Sequence, residues 1–140
     1  MHTEHTDVYH FQEKFGIPMA KRASFLDQRT FEFRYKFLHE ELSEFYQAHQ
    51  SGDMEGAADA LADLAYVLHG TALMMGVPWS AVWGEVQKCN MNKVRAMHED
   101  ESKRGSKLDV VKPAGWTGPD HSKHLGKGPW PTFNASGDDE

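Results

Sequence analysis

The spacing of apolar residues between positions 30 and 50 predicts an amphipathic α-helix. Apolar side chains recur there at alternating intervals of four and three, which places them along one face of a helix. The stripe consists of Phe31, Tyr35, Leu38, Leu42 and Phe45. Thr30 is the predicted N-cap. Glu41 and Glu44 border the stripe along one edge, so two acidic residues are expected beside the core instead of facing away from it.

A glycine turn at residues 50–53 separates this helix from a second one, which is predicted from Met54 to Gly76. The second helix is apolar on nearly all sides, which is typical of a helix covered on both faces in the middle of a bundle. A third helix is predicted to open at residues 77–79. Its apolar stripe includes Val82 and Val86 and runs on to Met97.

The chain is therefore predicted to be all-α: a helical bundle preceded by a short arm and followed by a long irregular tail. Its 140 residues are typical of one domain. Residues 1–100 are expected to form the helical core, and residues 101–140 a tail that packs on the core or on a neighbouring subunit. Because three helices leave apolar surface uncovered, we expect a homodimer or a homotetramer built as a dimer of dimers.

Charge and cysteine usage exclude several functional classes. A net charge of −6 argues against nucleic-acid binding, which relies on basic surfaces. Asp59 and Asp63 lie near the start of the most apolar segment and argue against a membrane span. Cys89 is the single cysteine, so a reducing, cytoplasmic location is expected. The first ten residues lack the apolar run of a secretory signal.

Two acidic pairs are expected to meet across the hairpin formed by the first two helices. Glu44 lies eight residues before Gly52 and Asp59 lies seven after it, so both stand at similar heights along antiparallel helices. Carboxylates that converge in this way suit Mg²⁺ or Mn²⁺. The glutamates are equally compatible with a solvated helix face. The aspartates, by contrast, lie on an otherwise apolar helix and require a cationic partner.

Four short motifs, in order, resemble the MazG-type all-α nucleotide pyrophosphohydrolases and their phosphoribosyl-ATP pyrophosphohydrolase-like branch. They are DVYHFQEKFGIP at 7–18, HEELSEF at 39–45, ADALADLAYVL at 58–68 and VQKCNMNK at 86–93. The usual pattern of the superfamily is E-x-x-E followed by E-x-x-D. Here Ala60 stands three residues before Asp63, so the second acid must come from Asp59, which departs from the usual spacing.

The resemblance implies hydrolysis of a nucleoside triphosphate between the α and β phosphates, with two or more Mg²⁺ or Mn²⁺ ions in each site. It implies metal ligands at Glu41, Glu44, Asp59 and Asp63. Glu40, Glu41 and Asp59 are the candidate catalytic residues, and Glu40 or Asp59 is available either to bind a second ion or to accept the proton of the attacking water.

The same resemblance implies phosphate contacts at Asn90 and Lys93. The segment at 102–121 is similar to the tails of phage-encoded members and adds Lys103, Arg104 and Lys112 as phosphate-binding candidates. Without the resemblance, Asn90 and Lys93 would be interpreted as an ordinary polar patch on a helix. The charged residues of the tail would be interpreted as a run exposed to solvent. The likeness to phage members also implies dGTP or GTP as the substrate, and the host cytoplasm as the location if the chain is phage-encoded.

The residues that recognise the base are less visible in the sequence. Phe15, Ile17 and Trp79 are the candidates for an apolar slot that holds a nucleobase. Nine histidines raise the alternative of a transition-metal site, but none forms the Glu-x-x-His pair of helical di-iron proteins. His39 and His69 are expected to be structural. The competing hypothesis for the whole chain is a non-catalytic helical module for oligomerisation or nucleotide binding.

Overall fold

The computed structural model describes residues 3–137 and is mostly helical, which confirms the predicted all-α class. In chain order the elements are α1 (Glu4–Lys14), β1 (Phe25–Leu26), α2 (Gln28–Gln50), α3 (Met54–Met74), α4 (Trp79–Asn90), β2 (Val94–Arg95), a 3-10 turn (Glu99–Glu101), β3 (Val110–Val111), α5 (Ser122–Leu125) and β4 (Thr132–Phe133). The chain divides into two compact units. Unit 1 contains the chain up to Trp79 and from Gly128 onward, and unit 2 runs from Ser80 to Lys127. The predicted division at residue 100 lies inside unit 2.

Helix α1 occupies most of the segment that the sequence suggested was a short arm. Thr3 caps it by accepting a hydrogen bond from the backbone N–H of Thr6, and the Thr6 hydroxyl accepts one from the backbone N–H of Thr3. Val8 and Gln12 are buried and α1 packs on α3. The expectation of an arm was therefore wrong, because the helix has too few apolar residues to show a clear period.

Helices α2 and α3 form the hairpin that organises unit 1. The N-cap of α2 is Asp27, whose carboxylate accepts hydrogen bonds from the N–H and the hydroxyl of Thr30 at 3.1 and 3.0 Å. The prediction of Thr30 as the N-cap was therefore wrong, because the cap is Asp27, about one helical turn earlier. Gly52 provides the positive φ of +74° that the turn between the helices requires.

Polar residues occupy the face of α2 that is buried in unit 1. Thr30, Arg34 and Glu41 are its buried residues, whereas the aromatic stripe stays open. Phe31 is 50% exposed and Tyr35 is 60% exposed. Arg34 donates from Nη2 to the carbonyl oxygen of Val67 at 2.8 Å and from Nε to the hydroxyl of Thr71 at 3.0 Å. These bonds tie α2 to α3 through a buried guanidinium.

A parallel pairing of β1 with β4 ties the C-terminal segment to the start of α2. Asp27 contributes here as well, because its second carboxylate oxygen accepts a hydrogen bond from the N–H of Ala135 at 2.9 Å.

Among residues 3–137, no single helix is both long and apolar enough to cross a membrane. Helices α3 and α4 meet that length and composition only when taken together.

Unit 2 contains most of the predicted third helix and the part of the predicted irregular tail that ends at Lys127. Helix α4 ends at Asn90, so the expected continuation of its apolar stripe to Met97 is wrong. The chain turns there and forms an antiparallel ladder in which Val94 pairs with Val111 and Arg95 with Val110. The strands have two residues each, which is too short for a recognisable alternation.

Candidate active site

Glu41 is the buried carboxylate of the α2 and α3 hairpin. Its side chain is 8% exposed and its Oε2 atom has no hydrogen-bond partner. Burial raises the pKa of Glu41 to about 7, and three neighbouring acids add to that shift. The largest of these contributions comes from Glu44, through a side-chain hydrogen bond and its charge, followed by the charges of Asp63 and Glu40. A buried oxygen without a partner is a position where a cation or a proton is favoured.

Asp63 occupies the facing position on α3. Burial raises its pKa, followed by the charge and hydrogen bond of Asp59 and then by the charge of Glu44. Glu44 therefore acts on a carboxyl of its own helix and on one of the facing helix. Acids of the two helices are therefore close enough across the hairpin to affect each other's helix electrostatically, whereas a shared metal site remains a prediction.

The five acidic residues differ in their access to solvent. Glu41 is buried and Asp63 is half-buried, whereas Glu40, Glu44 and Asp59 are exposed. The cluster therefore has a less exposed part, formed by Glu41 and Asp63, and an open rim formed by Glu40, Glu44 and Asp59. The exposed carboxylates of this rim are accessible to water or to a polar ligand.

The donor set suits Mg²⁺ or Mn²⁺, because it consists of carboxylate oxygens that include one buried oxygen without a partner. The side-chain oxygens are not arranged around a common point. Within residues 3–137, no group of three or more histidine, cysteine, aspartate or glutamate side chains has the geometry to hold an ion. Helix spacing places the carboxylates on facing surfaces, but it does not fix their rotamers.

The structure brings most of the predicted phosphate-binding residues together within unit 2. Lys93, Lys103, Arg104 and Lys112 all line one cavity, whereas Asn90, the last residue of α4, does not line it. Lys93 lies beyond the end of α4 instead of on the helix, where the sequence placed it. These residues belong to a different unit from the carboxylates.

The predicted nucleobase residues lie at two places in unit 1. Phe15 is 60% exposed and follows the end of α1, with its ring centroid 4.8 Å from that of Phe11, which in turn meets the Tyr66 ring edge-on at 5.3 Å. Ile17 is half-buried, and its N–H donates to the carbonyl oxygen of Gln12 at 2.9 Å. Tyr66 lies three residues after Asp63, so this aromatic group adjoins the acidic cluster along α3.

Trp79 packs against a pair of histidines. Its ring stacks on His5 with the centroids 5.7 Å apart and meets His69 edge-on at 5.2 Å. The Nδ1 atoms of His5 and His69 are 2.9 Å apart, so one ring donates to the other. His69 therefore has side-chain partners within unit 1, which agrees with the expectation that it is a structural histidine.

Sequence reasoning missed two buried polar residues, Gln12 and Arg34. Gln12 is 2% exposed and its Nε2 atom has no hydrogen-bond partner. Arg34 is 7% exposed, and burial lowers the pKa of its guanidinium. The available signal was Gly70 on α3, where a Cβ atom would lie 2.5 Å from Gln12 and 2.7 Å from Arg34. A glycine inside an apolar helix often marks such a close approach.

A helical unit with acidic pairs on the two helices of one hairpin agrees with the class of all-α nucleotide pyrophosphohydrolases that the sequence motifs resemble. Comparison with known families agrees with that class. The model of the phosphoribosyl-ATP pyrophosphohydrolase family matches residues 8–90, which is more than half of the chain, and the chain belongs to this family. It is accordingly a pyrophosphohydrolase. A search of the curated proteins finds no match.

Proposed function

We propose that the protein hydrolyses a nucleoside triphosphate at the bond between the α and β phosphates, releasing the nucleoside monophosphate and pyrophosphate. The observation that carries the proposal is the shared environment of Glu41, Glu44 and Asp63, in which Glu44 raises the pKa of both Glu41 and Asp63 and the charge of Asp63 also raises that of Glu41. Such mutual repulsion destabilises the fold and persists where function requires it.

Glu41, Glu44, Asp59 and Asp63 are the proposed ligands of Mg²⁺ or Mn²⁺, with two or more ions in each site. When bound, these ions would neutralise the phosphate oxygens, polarise the α phosphorus and lower the pKa of the attacking water. Glu41 supplies the buried oxygen that lacks a partner, and Glu44 supplies the charge that reaches both helices.

The exposed acids of the rim are suited to move the proton. In the hydrolysis, a water oxygen bonds to the α phosphorus, the bond from that phosphorus to the bridging oxygen breaks, and pyrophosphate leaves with the bonding electrons. The proton released by water goes to a carboxylate, for which Glu40 is one candidate, exposed beside the ligand set, and Asp59 is the other if it acts as a base instead of a ligand.

We infer that the substrate is a purine nucleotide, with dGTP or GTP as the first candidate. This follows from the resemblance of the segment at 102–121 to the tails of phage-encoded relatives. The aromatic group of Phe11, Phe15 and Tyr66 offers rings for a base to stack on. Asn90 is proposed as a neutral phosphate donor by the same resemblance.

We also propose that a second copy covers the open face of the hairpin, giving a homodimer or a dimer of dimers. Phe31, Tyr35 and Leu42 on α2 are each at least half exposed, and Leu61 on α3 is 49% exposed. Four large apolar side chains on one hairpin are unusual for a surface that stays in water.

A panel of eight ribo- and deoxyribonucleoside triphosphates tests this function, with pyrophosphate release measured in Mg²⁺, in Mn²⁺ and in EDTA. We expect turnover only with a divalent ion. Glu44→Gln is expected to lower kcat/KM by about 100-fold or more, because it removes an oxygen charge from the ligand set. Glu55→Gln is the matched control, since Glu55 is exposed in the first turn of α3.

Helical content, measured by circular dichroism, must be unchanged in both variants for the comparison to count. No turnover of any nucleotide with either ion would contradict the proposal. Equal turnover by Glu44→Gln and the wild type would show that the acidic cluster is not the reaction centre.

A further inference from the structure

Unit 2 contains a cavity of about 440 Å³, a volume typical of sites for small ligands. Four of the lining side chains are cationic and two are acidic; they are Lys93, Lys103, Arg104, Lys112, Glu101 and Asp109. Asp109 already has a partner, because Nη2 of Arg104 donates to its Oδ1 atom at 2.8 Å. Among residues 3–137, none of the three lysines has an acidic partner, so the cavity carries excess positive charge.

The ladder of β2 and β3 explains why two of these lysines are close together. Val94 pairs with Val111 and Arg95 with Val110, so the next position of the same antiparallel register sets Lys93 opposite Lys112. Residues opposite each other on antiparallel strands share a face of the ladder, and like charges there destabilise it. The register therefore places two lysines at neighbouring positions just beyond the ladder, in spite of the repulsion between like charges.

Trp116 is the side chain that both ammonium groups share. The Nζ atoms of Lys93 and Lys112 lie 5.3 and 5.1 Å from the centroid of its ring, within the range of a cation–π contact. The ring is itself fixed, because its Nε1–H donates to the carbonyl oxygen of Cys89 at 2.7 Å. The indole thus holds both lysines at the wall of one cavity and offsets part of their repulsion.

We propose that this cavity binds a phosphoanhydride chain, and that Trp116 is a positioning residue that holds Lys93 and Lys112 for it. The choice of a polyphosphate among anions rests on the proposed function. The charges favour it, since several cationic groups around one cavity suit a ligand with several adjacent negative centres, and lysine is a common phosphate-binding residue. The family match ends at residue 90, so the cavity is built by the segment beyond it.

The cavity can be tested by measuring anion binding to the full chain in EDTA, which prevents binding through divalent ions at the carboxylates. Isothermal titration with inorganic pyrophosphate, inorganic triphosphate and an α,β-methylene analogue of dGTP separates the possible sources of the ligand. We expect the wild type to bind an inorganic anion. We expect Lys112→Met to weaken that binding by about tenfold and Trp116→Phe by about threefold.

Lys107→Met is the matched control, because Lys107 is exposed in the same segment and does not line the cavity. Its affinity is expected to stay within about twofold of the wild type. Equal weakening by Lys107→Met and Lys112→Met would overturn the proposal, since it would reduce the effect to net charge. Binding of the nucleotide analogue without any binding of the inorganic anions would overturn it as well.

The melting temperature separates a binding role from a structural one. Removing one of two opposed lysines relieves repulsion, so Lys112→Met is expected to melt at the same temperature as the wild type or higher. A lower melting temperature with unchanged anion affinity would overturn the proposal. Lys103→Met, at an exposed position of the same cavity, provides a second variant with the same expected loss of binding.

The proposal for the cavity and the proposed function are contradicted by different experimental results. A wild-type protein that binds inorganic triphosphate in EDTA but hydrolyses no nucleotide supports the cavity and contradicts the function. A protein that hydrolyses nucleotides but binds no polyphosphate in EDTA overturns the cavity alone.

Discussion

Glu44 on α2 and Asp63 on α3 interact across the hairpin. After burial and the neighbouring Asp59, the charge of Glu44 is a further cause of the raised pKa of Asp63. Glu44 also raises the pKa of Glu41 on its own helix. One exposed acid thus couples two carboxyl groups that are less exposed, and this coupling makes the hairpin a candidate reaction centre instead of a charged surface.

The raised pKa of Glu41 predicts a pH-dependent cost to stability. The folded state holds the proton up to a pKa of about 7, whereas the ordinary value is 4.5. Between these values the folded state binds more protons than the unfolded state, so the free energy of unfolding in EDTA falls as the pH rises from about 4.5 to 7. Glu41→Gln keeps the neutral form and is expected to be more stable than the wild type above pH 7.

Urea unfolding of both proteins at pH 4.5, 6 and 8 measures this difference. We expect the urea midpoints to agree at pH 4.5 and to diverge in favour of Glu41→Gln at pH 8. A constant difference across the three pH values would show that Glu41 titrates normally and that its environment is not strained.

The contact between His5 and His69 predicts a pH effect of opposite sign. Burial lowers the pKa of His5 and the charge of His69 lowers it further; burial also lowers the pKa of His69, although the charge of Glu4 opposes that shift. At a pH below the ordinary histidine pKa of 6.5, the folded state therefore binds fewer protons than the unfolded state. The free energy of unfolding is thus expected to decrease as the pH falls below about 6.5.

Replacing one ring isolates this effect. His5→Gln removes a titrating group from the contact, so its stability is expected to fall less than that of the wild type between pH 7.5 and pH 5. His10→Gln is the control, because the His10 side chain is 72% exposed on the same helix. A parallel decline of all three proteins, followed by urea midpoints, would contradict the assignment.

Gly70 and Gly84 form a matched pair for testing the packing of α3. A Cβ atom at Gly70 would lie 2.5 Å from Oε1 of Gln12 and 2.7 Å from Nη2 of Arg34, whereas nothing lies within 4 Å of one at Gly84 on α4. Gly70→Ala is expected to destabilise the fold by about 1–3 kcal/mol. Gly84→Ala is expected to be neutral or to stabilise it by up to about 1 kcal/mol. Equal effects, measured by urea unfolding, would show that Gly70 makes no close contact.

The helical class, the hairpin and the electrostatic influence between acids of its two helices were predictable because each follows from spacing along the chain. A period near 3.6 and a glycine turn set the heights of Glu44 and Asp59 without further information. The buried face of α2 was not predictable in this way. Arg34 and Glu41 occupy it through tertiary contacts, while the aromatic stripe that the periodicity assigned to the core is mostly open.

The N-cap of α2 and the short pairing of β2 with β3 were also not predicted from the sequence. Asp27 caps α2 in place of Thr30 because its carboxylate reaches the Thr30 N–H from one turn earlier. The ladder that sets Lys93 opposite Lys112 has two residues in each strand, and its partners are separated by a segment without periodicity. Pairing over such a distance depends on tertiary packing, which a local pattern does not record.

The most direct test of the central claim is the identity of the products formed from dGTP in Mg²⁺, followed by ³¹P NMR with the wild type and with Asp63→Asn. We predict dGMP and pyrophosphate from the wild type, and loss of that reaction by about 100-fold or more in Asp63→Asn with its helical content retained. Formation of dGDP and phosphate, or full activity in Asp63→Asn, would contradict the claim that the facing carboxylates of α2 and α3 carry the reaction.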